Sequence, residues 1–85
     1  MEVRAFKLVN SEIVLGELVG TSNEKYQIKN PMAIAYSTIS DSPRLFSWCP
    51  YASSDTVEIN VNCVIVDYVV NDKTLEKYNS VITNE

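Results

Sequence analysis

The stretch FKLVNSEIVLGELVGTSNEKYQIKNP, residues 6–31, decides how the rest of the chain is read. It falls into three runs separated by the polar pairs Asn10-Ser11 and Ser22-Asn23, the middle one apolar on both faces over IVLGELV, a pattern of strand, turn, long strand, turn and strand. The long middle strand carries Gly16 in its interior. A glycine there forfeits side-chain packing and costs roughly 0.5–1 kcal/mol relative to alanine, so it needs a structural reason. The reason we infer is a corner: a strand shared between two faces of a small barrel must bend, and a missing Cβ leaves the bend unobstructed. Gly20 serves the same bend or its exit. The third strand meets Asn30-Pro31, and proline cannot donate to a strand ladder, so a bulge or an edge is expected at that point.

Strands are accordingly expected at Val3 to Val9, Glu12 to Thr21 and Lys25 to about Thr38. A loop follows over Ile39 to Arg44. Leu45 to Ile59 reads as a fourth strand broken near PYASSD, or as two shorter ones. After Asn60-Val61-Asn62, a fifth strand runs from Cys63 to Val70. The period then changes: Leu75, Tyr78, Val81 and Ile82 recur at helical spacing, with Asn71 or Asp72 available as the amino-terminal cap. Only one stripe of this segment is apolar, so the helix, over about residues 72–83, should lie on the barrel rather than stand alone. The expected class is all-β: a small, strongly bent, five-stranded closed or nearly closed barrel with a short C-terminal α-helix.

The 85 residues make one domain, with 46% apolar and 21% charged residues, an ordinary globular mixture. A chain of this size buries only about 60–65% of its unfolded surface, so its core is marginal alone and calls for a supplement. Metals and disulfides are poor candidates. The chain has no histidine, the commonest metal ligand and general base. Its two cysteines, Cys49 and Cys63, lie in apolar surroundings without metal-type spacing and read as buried free thiols. Subunit association is left as the expected supplement.

Composition narrows function further. Seven basic against eleven acidic residues give a net charge of −4, and the cations are scattered rather than clustered. Such a balance weighs against strong phosphate-driven binding while permitting a local basic rim. The amino terminus is too short and charged for a signal peptide, and VIVDYVV is too short to span a bilayer, so a soluble, cytoplasmic protein without membrane association is expected. Catalysis finds little support: Ser-His and Cys-His pairs are impossible in one chain, and two glycines cannot make a phosphate-cradling loop. Asp41, Asp55 and Asp67 could converge as acid, base or metal ligands, but Asp41 and Asp55 sit in turn-like contexts that explain them. No enzyme, cofactor or metal is expected.

Taken in order, LVNSEIVLGELVGTSNEKYQIKNP resembles the first motif of the Sm-like family, and most its bacterial Hfq branch of RNA chaperones. Leu8-Val9-Asn10 closes one strand, Gly16 and Leu18 occupy the bend, and Lys29-Asn30 ends the third strand. The second motif would fall on Ile59 to Asn62 and then Val64 to Val69, without the usual basic residue in its turn. The family normally carries its helix before the first strand rather than at the end, and divergent phage and marine viral members look most similar to this arrangement. The resemblance implies a homo-oligomeric ring of roughly five to seven subunits, in which the edge of the fourth strand pairs with the fifth strand of a neighbour. It also implies single-stranded RNA or DNA binding through the first and second loops. The positions it offers are Asn23, Lys25, Tyr26, Asn30, Asn60 and Asn62. Against it, Glu24 stands where the family stacks a base, Lys7 where the Hfq branch has a tyrosine, and Ser22 where the family has an acid. The alternative is an oligomeric structural protein that has lost nucleic-acid contact. Of the aromatic residues, the LFSWCPY cluster, Tyr36, Tyr68 and Tyr78 read as core or interface.

Overall fold

A computed structural model describes residues 2–35 and 44–83. The elements are strands β1 (Val3–Leu8), β2 (Ile13–Ser22), β3 (Lys25–Ala35), β4 (Arg44–Ser47), β5 (Thr56–Asn60) and β6 (Val64–Val69), with helix α1 (Asp72–Thr83) last. The expected fourth strand is thus two pieces, and the expected fifth is β6. Tyr36 and the end of the expected third strand lie outside the described residues, as does the loop at residues 39–43.

All pairings are antiparallel, in the order β4-β3-β2-β1-β6, with β5 also pairing β3. β4 and β5 share one side of β3: β5 runs beside Lys25–Lys29 and β4 beside Met32–Ala35. Among the described residues the sheet is not closed, since β6 pairs there only with β1. It is nevertheless curled: Ile59 and Val57 of β5 pack in the same apolar cluster as Val64 of β6, although these strands stand at opposite ends of the strand order.

The curl is built at Gly16. Between the pairs Leu15↔Met32 and Glu17↔Lys29, β2 advances two residues while β3 advances three, so Asn30-Pro31 forms a bulge opposite the glycine. Asn30 accommodates the bulge with φ 52°, the left-handed region that asparagine tolerates better than most residues. Close approach, not an unusual φ, explains Gly16: a Cβ there would stand 2.1 Å from Ile28 Cγ2 and 3.3 Å from the Lys29 carbonyl oxygen. Gly20 has no such neighbour, its nearest contact being Gln27 Oε1 at 3.6 Å. It adjoins a second shift, between Leu18 and Gly20, where β2 carries the extra residue.

The bulge also changes which face β3 presents. Ile28 belongs to an inner cluster with Phe6, Leu8, Val14 and Ile59, whereas Met32, four residues on, belongs to an outer cluster with Val3, Ala5 and Leu15. Regular alternation would put residues 28 and 32 on one face; the extra residue reverses the phase. β1 consequently buries both faces, Val3 and Ala5 outward, Phe6 and Leu8 inward.

Helix α1 closes the outer cluster. Asn71 caps it, its Oδ1 accepting from the Thr74 N–H at 2.8 Å. Leu75, Val81 and Ile82 pack on the sheet, and Tyr78 is fully buried. The Tyr78 hydroxyl donates to the Asn30 carbonyl at 2.9 Å, satisfying a backbone acceptor that the bulge removes from the ladder. The Asn30 N–H donates to the Asp55 carbonyl at 2.7 Å, and the Pro31 carbonyl accepts from the Trp48 N–H at 3.1 Å. The bend is therefore held from the helix and from the segment between β4 and β5.

Two predictions follow from this geometry. Gly16→Ala forces Ile28 or the backbone to move and should destabilise by about 2 kcal/mol, while Gly20→Ala should be neutral or stabilise by about 0.5 kcal/mol, measured by chemical denaturation. Burial, reinforced by the Glu17 charge, raises the Tyr78 pKa above its ordinary value of 10.0. The unfolded chain therefore loses this proton more readily, and stability contributed by Tyr78 is present below about pH 10 and falls as pH rises beyond it. Tyr78→Phe should cost about 1 kcal/mol at neutral pH, and the difference from wild type should shrink between pH 10 and 11.5.

Candidate nucleic-acid interface

The first loop is a two-residue hairpin turn. Ser22 pairs Lys25, and the residues between them, Asn23 and Glu24, have φ 52° and 61°. Consecutive left-handed residues match the strand twist, and asparagine is a favoured occupant. Asn23 thus has a backbone role, and its side chain is exposed.

The second loop is fastened beside the first. Lys25 pairs Asn60 in the β3–β5 ladder, and the Val61 N–H donates to the Glu24 carbonyl at 2.9 Å. Asn60 Oδ1 accepts from the Asn62 N–H at 2.9 Å, capping a short 3-10 turn over Val61–Cys63. Asn23, Lys25, Asn60 and Asn62 therefore gather at one end of the sheet, all exposed. Their electrostatics are mixed: Lys25 has Glu24 as its chain neighbour, and Glu58 lies two residues before Asn60, both exposed.

The other two candidates lie elsewhere. Tyr26 is half-buried and turned into the inner cluster, its ring centroid 5.3 Å from that of Phe6 with planes at 53°. That ring packs in the core and is not presented for base stacking. Asn30 sits five residues along β3 from Lys25, roughly 16 Å at strand rise, and its backbone serves the bulge. Lys7 is exposed on β1, across from Val66 of β6.

The remaining sequence candidates are dispersed. Asp67 Oδ2 accepts from Arg4 Nε at 2.7 Å, and Arg4 also pairs with Glu2. Asp55 Oδ1 accepts from the Thr56 hydroxyl at 3.1 Å, and Asp41 lies outside the described residues. Among the described residues, no group of three or more His, Cys, Asp or Glu is placed to hold a metal. Both cysteines are free, but the expected burial is corrected: Cys63 is exposed at the end of the 3-10 turn and Cys49 is half-exposed. Apolar neighbours in sequence misled there, because the turn rotates Cys63 out of the strand phase.

Two features escaped the sequence reading. One is an open cleft of about 440 Å³ lined by Asn30, Pro31, Ser47, Cys49, Asp55 and Ile82, assembled from segments far apart in the chain. The other is the surface of β6, where Ile65, Val66, Tyr68 and Val69 are 42–62% exposed beside Val9 at 63%. Its signal was present in VIVDYVV, which is apolar at both parities, as a strand covered on both faces would be. Among the described residues, no helix is long and apolar enough to cross a membrane. No protein-family model matches the chain, and no curated protein matches it.

Proposed function

We propose that this chain is a self-assembling module of Sm-like form, which completes its bent barrel in a closed homo-oligomeric ring and offers its two-loop end to single-stranded RNA or DNA. The observation that carries this reading is β6. Among the described residues it is an edge strand with a free ladder on one side and exposed apolar residues on both faces. Monomeric sheets protect such edges with charge, proline or a covering element. Here the one charged residue of the strand, Asp67, is held by Arg4 of the same sheet. At the other end of the strand order, β5 likewise has no second strand partner among the described residues. Two different free edges on one molecule favour head-to-tail contact, which closes into a ring when the rotation per subunit permits.

The nucleic-acid part of the proposal is supported by the convergence of Asn23, Lys25, Asn60 and Asn62. One lysine per copy is weak alone, but repetition around a ring multiplies it through effective concentration. A second reading, a ring that carries no nucleic acid, is favoured by the placement of Tyr26 in the core and by the net charge of −4.

Light scattering on the wild type should give one discrete oligomer at micromolar concentration, and Ile65→Lys should give a monomer that is folded at low temperature and melts below the wild type. A wild-type monomer would remove the ring from both readings. Fluorescence titration with U-rich and A-rich oligonucleotides should give weak binding that fades as salt is raised and is abolished by Lys25→Glu. Absence of binding at low salt, where any phosphate contribution is greatest, would leave the second reading alone.

A further inference from the structure

Resting on edge-to-edge assembly, we propose that Tyr51 of one copy is the anchor of the subunit interface, seated in a groove beside β6 of the next. Tyr51 is 98% exposed on the segment between β4 and β5, a large aromatic ring left uncovered among the described residues. Tyrosine in that state is characteristic of interface anchors, since its body is apolar and its hydroxyl finds a polar rim.

The receiving groove is a cavity of about 110 Å³ bounded by Ile13, Leu15, Ile34, Tyr68, Val70 and Thr74. It is the part of the outer sheet face that the first turn of α1 leaves uncovered, with Asn71 and Thr74 as its polar rim. Strand direction links the two features. If β5 of one copy pairs antiparallel with β6 of the next, the commoner and slightly stronger pairing, residues preceding Thr56 fall beside residues following Val69. Tyr51 thereby arrives at Val70–Thr74 while the ladder forms.

Charge favours a second copy of this chain as the occupant. Residues 51–60, YASSDTVEIN, carry Asp55 and Glu58 and no cation, and both acids are exposed. The β6 side presents exposed Lys7, in register with Val66, and exposed Lys73 on the first helical turn. Asp67 there is paired with Arg4, which it shares with Glu2, and Asp72 faces the positive end of its own helix. In the antiparallel register that seats Tyr51 at residues 70–74, Glu58 falls opposite the Val66 region and so beside Lys7. The excursion that splits the fourth strand thus acquires a use, as an arm that reaches the neighbouring subunit.

The test replaces Tyr51 with p-benzoylphenylalanine, irradiates the assembled protein and maps covalent dimers by mass spectrometry. Cross-links between chains to residues 68–74, together with a rise of about tenfold or more in the dissociation constant for Tyr51→Ala and rescue by Tyr51→Phe, are expected. Intact assembly with Tyr51→Ala equal to wild type, or cross-links to other segments, would overturn this proposal and leave the ring standing. A chain that stays monomeric at every concentration would overturn both.

Discussion

The contact of Ile28 with the bare backbone of Gly16 is the constraint on which the molecule depends. Ile28 occupies the space that any side chain at position 16 would need, and the two-residue bulge across from it takes up the slack in β3. The consequence is both a bend and a reversal of side-chain phase. One strand can then feed the inner cluster through Ile28 and the outer one through Met32. A chain of 85 residues thereby obtains two apolar clusters from one sheet, which a flat strand of the same length could not supply.

Such a bend leaves polar debts in the backbone, and the chain settles them locally. The Asn30 carbonyl receives the Tyr78 hydroxyl from the helix, and the Asn30 amide is taken by the Asp55 carbonyl from the segment between β4 and β5. The helix therefore does more than cover apolar surface, because its one fully buried residue holds the corner. The curl it secures brings β5 and β6 into one cluster without pairing them. Two unlike edges remain among the described residues, and the proposed self-assembly would cover the apolar surface of β6.

Much of this was legible in the sequence wherever a residue had one physical use. Pro31 cannot donate to a ladder, so a bulge at Asn30-Pro31 could be expected and is found. The spacing of Leu75, Tyr78, Val81 and Ile82 marked the helix over its observed range. Other features depended on phase or on distant contacts. Tyr26 alternates with polar neighbours, and nothing local shows that its ring turns toward Phe6. Cys63 lies among apolar residues, yet the 3-10 turn exposes it. Closure of the barrel was expected from strand number, but pairing between β5 and β6 requires a fit at the sheet ends that strand counting does not specify. The polar loop residues were recognised as a group, and their union through the Lys25↔Asn60 pair emerged only from the register.

Residue-resolved hydrogen exchange, followed as a function of protein concentration, tests the central claim that a corner at Gly16 leaves two edges for copies of the chain to fill. Outward-facing amides of Val64–Val69 and Thr56–Asn60 should gain protection together as concentration rises, while those of β1 and β2 are protected throughout. Protection that is independent of concentration and confined to amides bonded within the single chain would contradict it.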